Sequence, residues 1–328
     1  MKLTDLSQGL TRIGLGCMNL SHAYGTPPSE EEGIKMLQQA FDLGVRHFDT
    51  AALYGFGRNE TLVGKALSGN RDQLFLASKC GMTGVDGKRV IDGRPETLVA
   101  TLDAALERLQ TDHIDLYYLH RWDKNVPIED SVGALSRLVE AGKIGAIGLS
   151  EVSADTIAKA HAVHPIAAVQ TEYSLWTRNA ELAVLGACES LGIAFVAFSP
   201  LARGFLADGV ASPEVLEEGD IRRNMPRFKE PNFSSNAELL ASFKFKAAEL
   251  NITPAQLSLA WLLAKSPNIY PIPGTRYFSH LEENMAAANV SLSAAVIAEL
   301  DALINQSTVS GGRYPPATQA EIDTEEFA

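Results

Sequence analysis

Cysteine is scarce in this chain. Cys17, Cys80 and Cys188 are the only three, they stand far apart, and no CxxC pair occurs. That pattern argues against a disulfide framework and a thiolate zinc centre, and it suits a reducing, cytoplasmic setting. No metal site is expected. Bases are also in short supply: 28 Lys and Arg face 40 Asp and Glu, a formal net charge of −12. General nucleic-acid binding requires a basic face and is not expected, although a local basic cavity is compatible with this balance. No apolar run reaches about 18 residues, so no membrane span is expected. The opening MKLTDLSQGL lacks the apolar core of a secretion signal. A GLG occurs at 14–16, but no GxGxxG opens a helix there, which weakens a Rossmann reading.

What is present is a rhythm of short β-rich runs, loops and helical patterns. With 46% apolar and 21% charged residues, the 328-residue chain can bury a large core. TRIGLGCM, VRHFDT, QLFLASK, HIDLYYLH, IGAIGLS, IAAVQTEYS, IAFVAFSP and NIYPIPG read as eight successive strands. Between the first two, Ile34, Leu37, Phe41 and Leu43 form one helical face behind a capping box of Ser29 and Glu32. Leu98, Leu102, Ala105, Leu106 and Leu109 form another, with Pro95 in its first turn. Eight strand–helix units predict a single α/β domain over 1–328, a (β/α)8 TIM barrel. KLTDLSQGLTRIG is expected to add an N-terminal β-hairpin that closes the barrel bottom. The 202–235 segment after strand seven is too long for a plain connection and is expected to be a functional loop. Pro271 and Pro273 weaken strand eight. Residues 307–328 show little periodicity and are expected to form a C-terminal tail, draped or disordered.

In such a barrel, chemistry sits at the C-terminal ends of the strands. Asp49 ends strand two with Tyr54 just beyond it, Lys79 ends strand three and His120 ends strand four. Ser150 and Gln170 end strands five and six, and Ser199 follows strand seven. Taken singly, each has an ordinary structural role as a cap, a packed ring or a solvated charge. Taken together, Asp49, Tyr54, Lys79 and His120 converge on one mouth, and a shared site becomes the better explanation. An ammonium makes a nearby phenol more acidic, a carboxylate keeps that ammonium charged, and a histidine orients a carbonyl oxygen or relays a proton. Such a set suits protonation of an oxygen while a cofactor delivers hydride, which is carbonyl reduction. A phosphate-bearing cofactor has a candidate dock in IPGTRYFSHLEEN, where Gly274, Thr275 and Arg276 precede a helix. FSPLARGFL offers Ser199, Arg203 and the ring of Phe198, which can face a planar nicotinamide.

In this order, DTAALYG, LDAALERLQTDHIDLYYLHRWD, VEAGKIGAIGLSEVSA, VQTEYSLW, AFSPLARGFL and PIPGTR resemble the aldo-keto reductase superfamily. The resemblance runs from about residue 3 to about residue 315 and is nearest to bacterial, fungal and plant members. It implies the same barrel, with Asp49, Tyr54, Lys79 and His120 as a catalytic tetrad and Tyr54 as general acid. It implies that Ser150 and Gln170 hold a nicotinamide carboxamide, and that Phe198 stands where many members have a stacking Tyr. Ser199, Leu201 and Arg203 would line the pyrophosphate path. Thr275 and Arg276 would meet an adenosine 2′-phosphate, with Glu283 and Asn284 near adenine. His280 stands where many members have Arg, and Glu151 where Asn is frequent, which puts one carboxamide contact in question. The cofactor implied is NADPH/NADP+, with NADH less favoured, and the substrate a small carbonyl compound or alcohol. Met18, Tyr24, Leu53, Trp122 and the 202–235 loop are expected to wall the substrate pocket. Two other readings stand beside this one. A nicotinamide-redox sensor would regulate a partner, as potassium-channel β subunits of the same superfamily do. A Schiff-base enzyme would use Lys79, but Asp49 opposes the neutral amine it needs.

Overall fold

The computed structural model describes residues 12–327. Short period-two runs pair side by side, all in parallel, and each is followed by helical chain packed outside. The barrel strands are β1 (Leu15–Gly16), β2 (His47–Asp49), β3 (Phe75–Cys80), β6 (Ile114–Leu119), β7 (Ile144–Ser150), β8 (Ile166–Glu172), β9 (Ala194–Phe198) and β10 (Ile269–Pro271). Between β3 and β6 lies an antiparallel hairpin, β4 (Met82–Val85) with β5 (Lys88–Ile91). The ring closes through Gly14 N–H to Pro271 O (3.0 Å) and Gly16 N–H to Pro273 O (3.2 Å). The two prolines thus offer β1 only their carbonyls, while the Ile272 N–H between them serves β9 at Ala197 O. That is how a proline-rich run still completes the barrel.

Local sequence chemistry sets the helices. Ser29 caps Glu30–Asp42, and the Glu32 carboxylate returns to the Ser29 N–H at 2.9 Å, as the capping-box pattern predicts. Pro95 occupies the first turn of Pro95–Leu109. The same Thr/Gln box, Thr253 with Gln256, starts Pro254–Lys265. Among the described residues, no helix is long and apolar enough to cross a membrane.

Strand parity decides which side chains reach the barrel interior. On β3, Phe75 and Ala77 pack inside while Leu76 and Cys80 pack outward against helices. On β6, Leu116 and Tyr118 face in and Tyr117 and Leu119 face out. Lys79 and His120 continue the inward series at the C-terminal ends, as Ser150, Gln170 and Phe198 do on β7, β8 and β9. The inner core is filled largely by alanines around Phe75, Tyr118 and Tyr270. Gly148 leaves room for one of these rings: a Cβ there would lie 2.3 Å from Tyr118 Cδ1. Gly148→Ala is expected to destabilise the protein by about 1–3 kcal/mol through overpacking, read as a lowered midpoint in urea. An unchanged midpoint would mean that the Tyr118 ring moves aside freely.

The expected N-terminal hairpin falls mainly on residues 1–11, outside the described residues. Segment 202–235 is the expected long connection after β9, with short 3-10 turns at Ala202–Ala207, Pro213–Val215, Ile221–Asn224 and Pro226–Phe228 before the helix Asn232–Glu249 begins. The tail from 307 is ordered against the barrel top, with Arg313, Ile322 and Thr324 buried and a short helix at Pro316–Gln319.

Candidate active site

At the C-terminal mouth, Lys79 is fully buried beneath the floor of a cavity. Its Nζ donates to an Asp49 carboxylate oxygen, to Thr50 O (2.7 Å) and, at the long end of hydrogen-bond range, to Tyr54 Oη (3.4 Å). Gln170 Nε2 donates to the second Asp49 oxygen at 2.8 Å, so both carboxylate oxygens are engaged. The Tyr54 and His120 rings meet edge to face, with centroids 5.8 Å apart. Residues from four strand ends therefore form one connected cluster.

Burial sets the charge states. It works against the Lys79 ammonium, yet Asp49 and Tyr54 more than offset it, and the lysine is held above its usual range. That opposes the neutral amine a Schiff base would need. Burial pushes the Tyr54 hydroxyl upward, and the opposing pull of Lys79 is smaller. The sequence had suggested an acidified phenol. The structure reverses that expectation, because the ring is taken out of water together with the ammonium. His120 is driven well below the ordinary histidine range, first by burial and then by Arg121 and Lys79, so it is neutral near pH 7.

A cavity of about 670 Å³ opens above this cluster. Asp49, Tyr54, His120, Ser150, Gln170 and Phe198 border it at the barrel mouth. Ser199, Leu201 and Arg203 continue the wall, and Gly274, Thr275, Arg276, His280, Glu283 and Asn284 border its other flank. Met18, Tyr24 and Leu53 also reach it. Trp122 does not. Its indole N–H turns away to Val126 O at 2.9 Å, because the chain folds back on itself directly after β6. Trp176 is likewise a packing residue, stacked on Phe205 with centroids 4.2 Å apart.

The 199–204 turn is strained. Ser199, Ala202 and Arg203 all have φ between 49° and 58°, in the left-handed region that non-glycine residues avoid. Such strain concentrates where a backbone is shaped around a ligand. Across the cavity, Gly16 and Gly274 allow a close approach: a Cβ on Gly274 would lie 2.9 Å from Gly16 O. Arg276 sits beside them, bound to Thr26 O at 2.7 Å and to Tyr277 Oη at 3.2 Å. The nearby Glu217 is occupied with Thr26 instead.

Sequence reasoning missed several wall residues. Met82 and Arg89 come from the unforeseen hairpin, Arg121 follows His120, Arg222 lies in the long segment, and Tyr314 and Thr318 belong to the tail. The tail is fastened at Glu151. This residue adopts φ +54°, and its carboxylate accepts from Glu172 N (2.9 Å), Arg313 (2.6 Å) and Thr324 Oγ1 (2.9 Å). It does not border the cavity. Glu172 accepts in turn from Arg203 (2.8 Å) and Tyr314 (2.9 Å), which joins the tail to the strained turn. Residues 12–305 match the Aldo/keto reductase family.

The chain belongs to the aldo/keto reductase family. It is 45% identical over 317 residues to the Schizosaccharomyces pombe protein named aldo-keto reductase yakc [NADP(+)], covering 94% of this chain and 93% of that one. It is 42% identical over 317 residues to probable aldo-keto reductase 1 of Glycine max, covering 96% and 91%. Among solved aldo/keto reductase-like folds, a glycerol dehydrogenase from Gluconobacter oxydans matches with a TM-score of 0.82 at 27% identity, over 90% of this chain and 91% of that one. An aldo/keto reductase from Klebsiella pneumoniae, solved with NADP and acetate, matches with a TM-score of 0.69 at 26% identity, over 93% and 95%.

Proposed function

We propose that this aldo/keto reductase reduces an aldehyde or ketone with NADPH, reversibly, using Tyr54 as the proton donor. The observation that carries this reading is the buried Asp49–Lys79 pair whose ammonium reaches the Tyr54 oxygen. The residues present fit the cofactor. Ser150 and Gln170 offer polar groups for a carboxamide beside Tyr54, and Phe198 offers a ring face. The strained turn at Ser199–Arg203 and the close-packed Gly16 and Gly274 leave backbone room for a pyrophosphate. Arg276, with no carboxylate in ion-pair contact among the described residues, suits a 2′-phosphate next to Thr275. When bound, the cofactor supplies hydride to the carbonyl carbon.

The protein's own part is proton management. The Tyr54 hydroxyl stays protonated in the resting site and donates to the carbonyl oxygen as negative charge grows there. An alkoxide is a stronger base than a phenolate, so a phenol above its usual range still gives up its proton to it. Lys79 stabilises the phenolate left behind, and Asp49 and Gln170 keep that ammonium in place. This help is greatest at the transition state, which is where it accelerates the reaction. Neutral His120 orients the same oxygen without adding charge.

A panel of carbonyl compounds, followed by loss of NADPH absorbance, tests the reading, and absence of turnover across the panel would refute it. Arg276→Ala is expected to weaken NADPH binding about ten- to a hundredfold and NADH binding little. Titration of both cofactors checks this. Equal affinities for the two in the unaltered protein would remove the 2′-phosphate role.

A further inference from the structure

Charge around the cavity is lopsided. Five arginines border it, Arg89, Arg121, Arg203, Arg222 and Arg276, against two carboxylates, Asp49 and Glu283. Yet the whole chain carries −12. Most of these arginines are accounted for. Arg203 is paired with Glu172, Arg222 with Asp220 and Arg89 with Glu321. Arg276 lies beside Gly274 and Thr275, where a cofactor phosphate is proposed above. Asp49 is spent on Lys79.

That leaves Arg121. Its Nη1 donates to His120 O at 2.7 Å and to Ser150 Oγ at 3.3 Å, both uncharged acceptors. No carboxylate lies within ion-pair distance of it among the described residues. It borders the cavity beside two groups of the proposed reacting centre, and its charge acts on both Tyr54 and His120. A half-buried guanidinium without a counterion, next to a carbonyl-binding mouth, is suited to an anion.

We propose that the natural substrate is an anionic carbonyl compound, its carboxylate or phosphate held by Arg121. The proposal rests on the reductase reading and names the substrate class for that site. Arg89 borders the same cavity from the hairpin, but its charge is engaged by Glu321 (2.6 Å), which ties the hairpin to the tail. Arg121 donates to Ser150 Oγ at 3.3 Å, so an anion it holds would lie beside the proposed reacting centre.

Matched pairs test this: butanal against 4-oxobutanoate, and glyceraldehyde against glyceraldehyde 3-phosphate. The expected result is a higher kcat/KM for the charged member of at least one pair, carried by KM. The pair that shows it tells carboxylate from phosphate. Arg121→Gln should erase that preference, lowering kcat/KM for the charged member about ten- to a hundredfold more than for its neutral partner. Arg121→Lys should restore part of it. Equal losses for charged and neutral members, with weakened NADPH binding, would assign Arg121 to positioning Ser150 and overturn the proposal. So would the absence of any charge preference in the unaltered enzyme. Should no aldehyde be reduced at all, the reductase reading falls, and calorimetry with succinate and inorganic phosphate decides the anion site. Binding lost in Arg121→Gln would sustain it, and no binding to the unaltered protein would end it.

Discussion

Tyr54→Phe is expected to lower kcat about 10²–10⁴-fold while NADPH still binds with its normal affinity. The substitution removes one oxygen and keeps the ring. The edge contact with His120 and the cation–π contact with Lys79, whose Nζ lies 5.0 Å from the ring centroid, are both retained. What disappears is the hydroxyl that the Lys79 ammonium reaches at 3.4 Å. The change is also mild for the fold, since Lys79 keeps its bonds to Asp49 and Thr50 O. Removing Lys79 instead would strand a buried Asp49 carboxylate and cost about 3–5 kcal/mol of stability, which would confuse any reading of catalysis. The check is steady-state turnover beside cofactor titration on the same preparation. A variant that binds NADPH normally and keeps a tenth or more of its turnover would remove Tyr54 from the proton path.

The meeting of Asp49, Tyr54, Lys79 and His120 at one mouth was legible because it depends on parity. A strand of known phase sends every second side chain inward, so polar residues ending a run such as FLASK or IAAVQ announce themselves at the mouth. The barrel followed from counting such runs. The hairpin β4–β5 carried a readable signal that was passed over: Asp86 and Gly87, at φ +49° and +72°, are the DG pair that favours a tight two-residue turn. Trp122 was misplaced because nearness in sequence to His120 says nothing about direction once the strand has ended. Burial reversed the direction expected for Tyr54, since a nearby charge can be guessed from order along the chain but the loss of water cannot. The tail network was beyond reach for another reason. Glu151 meets Arg313 across 162 positions, and no local pattern specifies a partner at that separation.

That network should dominate stability at the barrel top. Arg313→Met is expected to cost about 3–5 kcal/mol at neutral pH, because it leaves the buried carboxylates of Glu151 and Glu172 short of positive charge. It should also release the tail. Asp323 Oδ2 accepts from Ser153 N–H at 2.9 Å, and Arg89 grips Glu321 at 2.6 Å, but both contacts lie beyond the lost anchor. Tyr314 and Thr318 border the cavity, so a loosened tail should raise KM for the substrate as well as hasten proteolysis after residue 306. The deficit should depend on pH. Burial works against the Glu172 carboxylate, yet Arg203, Arg313 and Arg227 together bring it down to about 2 from an ordinary 4.5. A carboxylate depressed in the folded state contributes stability that is present above its unfolded value and is lost as the pH falls through the folded one. The unaltered protein therefore holds this contribution above pH 4.5 and sheds it toward pH 2. In Arg313→Met the Glu172 carboxylate regains its proton more readily, so the gap between the two proteins should be widest near neutrality and narrow below pH 4.5. Urea unfolding at stepped pH measures both curves. A gap that stays constant from neutrality down toward pH 2 would show that Arg313 stabilises the tail by packing alone.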